Sequence, residues 1–116
     1  MRKKNISEID SDPVTDYGSI DTTIQWVWGP KDGVPNFFMR RFTIEPGGLI
    51  GLHDHPQEHE IYFLSGVCRV FNDKGEERIV KAGDTLYVPS DEPHGYENKG
   101  EEPVEFLCMI PKLKED

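Results

Sequence analysis

The chain has 116 residues, 35% of them hydrophobic, with 11 glycines, 9 prolines and a formal net charge of −9. That length supports one domain with one core, burying roughly two thirds of the unfolded surface, and so much glycine and proline suits a turn-rich β protein rather than a helical bundle. The acidic balance excludes an electrostatic nucleic-acid binder, since Arg2, Lys3 and Lys4 are too few to reverse it.

Residues 1–19 are polar, rich in Asp and Ser and without a sustained period, so they read as an N-terminal arm preceding a domain over 20–116. Strand signals follow. Thr22 to Trp28 is β-branched and aromatic, Gly29 to Gly33 is a turn, and Asn36 to Ile44 is a longer strand closed by Glu45-Pro46-Gly47-Gly48. Ile61 to Leu64, Val67 to Phe71, Arg78 to Val80 and Thr85 to Val88 continue the meander across short turns, and Val104 to Ile110 is the last strand. Several short strands at near-regular spacing, with no 3.6-residue period, predict an all-β barrel or sandwich. No apolar run approaches the roughly 20 residues of a membrane span, and the basic start leads into Asn5-Ile6-Ser7-Glu8 rather than an apolar signal core. A cytoplasmic protein is expected, with Cys68 and Cys108 as free thiols.

The whole imidazole supply lies in one cluster and one distant site. His53, His55 and His59 share odd parity, so an extended segment projects them from one face, kinked where Pro56 interrupts strand pairing; a helix would scatter them. Asp54, Glu58 and Glu60 have the opposite parity, which leaves them to contact the histidine rings from outside or to be solvated. His94 follows in a Pro-rich turn. On the last strand Glu105 is expected to face out, which turns Val104, Phe106, Cys108 and Ile110 inward. Phe106 and Cys108 are then either pocket walls or ordinary core. Leu107 and Met109 face the other way and call for a cover, with a second subunit the simplest one. Trp26 and Trp28, alike in parity, could join that interface or be buried.

Two motifs carry a resemblance. Gly47, five residues, His53-x-His55, three residues, His59, six residues, Gly66 resembles the first cupin motif; Gly83, five residues, Pro89-x-Asp91, two residues, His94, three residues, Asn98 resembles the second. His59 stands where Glu is usual, and Asp91 where Gly is usual. The histidine substitution, with the segments Asn36–Arg40, Glu45–Ile50 and Glu105–Pro111, is similar to the small four-histidine, manganese-containing cupins. The resemblance implies a jelly-roll barrel, a homodimer and one metal inside the barrel held by His53, His55, His59 and His94. It also implies that Phe106 and Cys108 lie close to the metal pocket.

Imidazole accepts Mn, Fe, Ni, Cu or Zn, and four neutral rings leave the ion's +2 charge unneutralised, so a small anionic or oxygen-rich ligand is the expected partner. The expected function is a metal-dependent enzyme, oxidative and dioxygenase-like, acting on a small oxygenated or unsaturated molecule. The alternatives are a non-redox isomerase or lyase and a non-catalytic small-ligand or metal-binding module. A lyase or isomerase needs a base; Tyr96, Arg41 and Tyr62 are the candidates, with Tyr96 first because it shares parity with His94. Losing the usual Glu weakens the case for the chemistry of Glu-containing relatives.

Overall fold

The computed structural model describes residues 1–113. Its strands are β1 (Asp12–Pro13), β2 (Ile20–Trp28), β3 (Phe37–His53), β4 (His59–Ser65), β5 (Val67–Phe71), β6 (Glu77–Lys81), β7 (Thr85–Val88), β8 (His94–Glu97) and β9 (Val104–Pro111). All pairings are antiparallel, in the order β6-β5-β8-β3-β9-β4-β7, with β2 laid along β3 and β1 along β2. The sheet curls into a jelly-roll β-barrel around a core that includes Ile44, Ile61, Phe63, Cys68, Val104 and Phe106.

β3 is the organising element and runs well past the predicted stop at Glu45–Gly48. Its first half pairs with β9 and its second half with β8. The strand survives Pro46 because that residue is exposed, where its missing N–H leaves no ladder bond unmade. Gly47 takes a φ of 84°, open to glycine at little cost, and bends the chain from one partner to the other. Asn98 clasps the bend: its backbone N–H donates to Gly48 O, its backbone oxygen accepts from Gly47 N, and its side-chain amide donates to Ile44 O at 2.8 Å. Asp91, expected to tolerate a turn that usually needs glycine, has a φ of 63°.

β9 alternates as its charges require, with Val104, Phe106, Cys108 and Ile110 buried and Glu105, Leu107 and Met109 half-exposed. Strands β1 and β8 are additional to those read from the sequence. β8 has only four residues, two of which read as turn or loop by composition. The first 19 residues lie against the barrel. Asp12 and Pro13 pair with Ile24 and Thr23, Val14 packs on the core, and Asp16–Gly18 forms a single 3-10 turn. Both cysteines are free and buried. No helix among the described residues is long and apolar enough to cross a membrane.

Candidate metal centre

Three strand ends meet at one end of the barrel. His53 closes β3, His59 opens β4 and His94 opens β8, and His53 and His94 are direct cross-strand partners. The alternation through residues 53–60 keeps His53, His55 and His59 turned inward while Asp54, Glu58 and Glu60 are exposed, so those acids are solvated. One ring nitrogen from each of His53, His55 and His94 falls within 4.8 Å of the others, a grouping able to hold a metal ion. His59 stands beside this set, its ring centroid 4.3 Å from that of His55 and 5.1 Å from that of His94.

The backbone fixes two of the tautomers. His53 Nδ1 lies 2.8 Å from Gly51 O, and His94 Nδ1 lies 2.8 Å from Glu92 O. A carbonyl can only accept, so both Nδ1 atoms carry the proton and both Nε2 atoms present a lone pair, the arrangement that orients a metal-binding imidazole. His94 Nε2 is buried without any hydrogen-bond partner. Burial holds His53 and His55 below the usual histidine range and pushes His94 down to about 4. His59 is pushed down to about 2, by burial first and then by the positive charge of Arg40. Neutral rings are the coordinating form.

A cavity of about 300 Å³ opens from His53, His55 and His59 toward the solvent, with His94 buried behind them. Tyr96, Phe106 and Cys108, the pocket candidates from the sequence, all line it. Tyr96 is buried and its phenol is raised well above the usual value by that burial. The other two proposed bases do not reach the cavity. Arg41 pairs with Glu105, and Tyr62 is 44% exposed on the outer face, because β3 and β4 turn these positions away from the core.

Arg40 lines the cavity in their place. It shares parity with the buried Phe38, Phe42 and Ile44, a signal readable in the sequence. Its guanidinium donates to Cys108 Sγ at 3.1 Å and lies 3.4 Å from His59 Nδ1, while Cys108 Sγ is 3.2 Å from the same nitrogen. Trp26 also lines the cavity, with the Arg40 guanidinium 5.5 Å from its ring, whereas Trp28, the last residue of β2, sits under Lys4 and Arg2 and does not line it. Tyr17, whose ring stacks on His53, carries no signal in the local sequence pattern.

Residues 40–110 match the Cupin domain family, a span that contains both motifs and all four histidines. The chain belongs to the cupin family. Over 70 residues this cupin is 41% identical to the oxalate-binding protein of Thermotoga maritima, covering 60% of this chain and 58% of that one. It is 46% identical over 70 residues to an oxalate decarboxylase of Bacillus subtilis, covering 56% of this chain but 18% of that protein. The match therefore spans a little over half of the first relative and less than a fifth of the second. Among solved structures, the polyketide cyclase RemF from Streptomyces resistomycificus superposes with a TM-score of 0.89 at 28% identity, covering 96% of this cupin and 79% of that chain. A predicted oxalate decarboxylase from Thermotoga maritima gives a TM-score of 0.82 at 26% identity, covering 94% and 97%.

Proposed function

We propose that His53, His55, His59 and His94 hold one divalent transition metal, manganese before Fe, Ni, Cu or Zn, and that the protein is a metal-dependent enzyme. Its chemistry would be oxidative and dioxygenase-like, on a small oxygenated or unsaturated molecule. The observation that carries this reading is His94, whose Nε2 is buried with no partner and which groups a ring nitrogen with those of His53 and His55 within 4.8 Å. A buried acceptor left unmet costs about 1–3 kcal/mol, and a metal ion is the group that three neutral imidazoles can satisfy together. When bound, the ion would supply Lewis acidity and, for Mn or Fe, access to one-electron chemistry.

The chain's own residues would set the rest. Gly51 O and Glu92 O hold the rings of His53 and His94 in one orientation. Cys108, accepting from His59 Nδ1–H, would leave His59 Nε2 for the metal, which gives this thiol a positioning role. No carboxylate of the 53–60 run faces the cavity, which sets this site apart from Glu-containing cupins and weighs against base-driven isomerisation or elimination. Likeness to a protein named for oxalate binding supports a second reading, a module that binds a small carboxylate without turnover.

Elemental analysis of the purified protein should find about one first-row transition metal per chain, and His59→Ala should lower its retention. Unchanged occupancy in that variant removes His59 from the ligand set. Oxygen uptake with candidate substrates separates the enzyme from the binding module.

A homodimer is part of the proposal. Tyr62, Leu64 and Tyr87 are exposed on the outer face of β4 and β7, where Tyr62 is the cross-strand neighbour of Leu107. An apolar face of this kind needs a cover. Sedimentation equilibrium should give twice the chain mass.

A further inference from the structure

Arg40 is a cation without a counter-ion. Among the described residues it belongs to no ion pair, its only hydrogen-bond acceptor is Cys108 Sγ, His59 Nδ1 stands 3.4 Å away carrying its own proton, and its Nε is buried with no partner. A guanidinium held in a cavity without an anion keeps its desolvation cost uncompensated. Among the described residues the only carboxylate lining the cavity is Asp16, exposed on the Asp16–Gly18 turn, and it forms no ion pair with Arg40. No group among the described residues supplies that anion, so a bound ligand is the group that fits, and the planar fork of Arg matches a carboxylate with two parallel hydrogen bonds.

The walls around that fork are aromatic and apolar. The Arg40 guanidinium lies 5.5 Å from the Trp26 ring and 5.0 Å from that of Phe42. Phe42 stacks on Phe106 at 5.2 Å and Phe106 on Tyr96 at 5.3 Å, so a bank of flat rings runs beside the histidines. Apart from the imidazoles, Arg40 is the one basic side chain among the described residues that line the cavity. At about 30 Å³ per water, a volume of about 300 Å³ holds on the order of ten water-sized groups. A small dianion such as oxalate leaves much of that volume unfilled and offers nothing to the aromatic bank.

We propose that Arg40 is the carboxylate anchor of the ligand site, and that the ligand is a monocarboxylate with a flat, unsaturated or aromatic body lying against Trp26 and Phe42. This names the substrate class of the metal-dependent reaction proposed above and rests on that reading for the reaction, though not for the binding.

The test is calorimetric titration of the full chain with benzoate, its neutral isostere benzamide and oxalate, each with the metal as purified and after chelation. Benzoate should bind at least about tenfold tighter than benzamide in both forms, the effect of one charge-assisted pair. Arg40→Met should abolish that preference, Arg40→Lys should keep part of it, and Trp26→Ala should weaken both aromatic ligands alike. Equal affinity for benzoate and benzamide in the unmodified protein, or no binding of either, overturns the proposal without needing any variant to fold. So does oxalate binding tighter than benzoate in the chelated form. If no metal is retained at purification yet benzoate still depends on Arg40, the metal reading falls and the anchor stands. If metal is retained but benzoate ignores Arg40→Met, the anchor falls alone.

Discussion

The ring of Tyr17 lies flat on that of His53, with centroids 4.2 Å apart and planes within 8° of parallel. Gly51 O holds the same imidazole through Nδ1, so His53 is fixed both in its plane and from one face. Tyr17 achieves this at a φ of 60°, a left-handed conformation costing a side-chain-bearing residue about 1–2 kcal/mol. Tyr17→Gly relieves that strain while losing a stack worth about 1 kcal/mol, so its thermal midpoint should barely move. Its metal affinity, read by competition with a chelator, should fall about fivefold as His53 is released. A collapsed midpoint, or affinity equal to the parent, argues against this role.

The turn that carries Tyr17 docks against a strand position with no side chain. A Cβ built at Gly51 would stand 1.9 Å from Tyr17 O, far inside any permitted contact with backbone. Gly51→Ala should therefore expel the Asp16–Gly18 turn or strain β3, costing about 1–3 kcal/mol by overpacking. Denaturant unfolding reads the loss, and limited proteolysis near residue 17 separates an expelled turn from a strained strand. A variant as stable and as resistant as the parent shows that the turn re-seats without the close approach.

These two contacts mark where the sequence stops being legible. Parity recovered what alternation dictates: the inward face of His53, His55 and His59, the outward Asp54, Glu58 and Glu60, and the buried run through Val104, Phe106, Cys108 and Ile110. Motif spacing linked His94 to a cluster far away in the chain, and the structure makes it the cross-strand neighbour of His53. Turn punctuation is the weaker guide. Pro46 and Gly47 bend β3 without stopping it, because Asn98 satisfies the backbone there. Alternation turns Arg40, in phase with Phe38 and Phe42, toward the cavity, and Arg41, the base expected from the sequence, away from it. Tyr17 could not have been found by either route, since its contact with His53 depends on a turn docking across 36 residues of chain, which no local period encodes.

Acid should destabilise the metal-free protein in a defined window. His94 at about 4 and His59 at about 2 both titrate well below the unfolded value of 6.5. Between those limits the unfolded chain binds protons that the folded chain refuses, so stability is full above pH 6.5 and falls as the pH drops. Each histidine contributes a slope of about 1.4 kcal/mol per pH unit, ending for His94 near pH 4 and for His59 near pH 2. Urea unfolding at stepped pH should show this loss begin near pH 6.5, and His59→Gln should flatten it. A stability that is level from pH 7 to pH 4.5 would falsify the buried-neutral assignment.

The two thiols should be inert in the folded state for the same reason that the histidines are neutral. Burial pushes Cys68 up to about 12 and raises Cys108, although the neighbouring Arg40 pulls Cys108 the other way. Thiolate is the reactive form, and at pH 8 a thiol near 12 is ionised to only ~10⁻⁴. An aromatic disulfide reagent at pH 8 should therefore label neither cysteine in the native protein and both in guanidinium. The two differ in access, since Cys108 lines the cavity and Cys68 does not. Any slow native labelling should fall on Cys108, and it should slow further when benzoate occupies the cavity or a metal holds His59 in place. Mass spectrometry of the labelled peptides decides between them, and modification of Cys68 first would mean that the barrel opens at β5 before ligands enter at the histidine end.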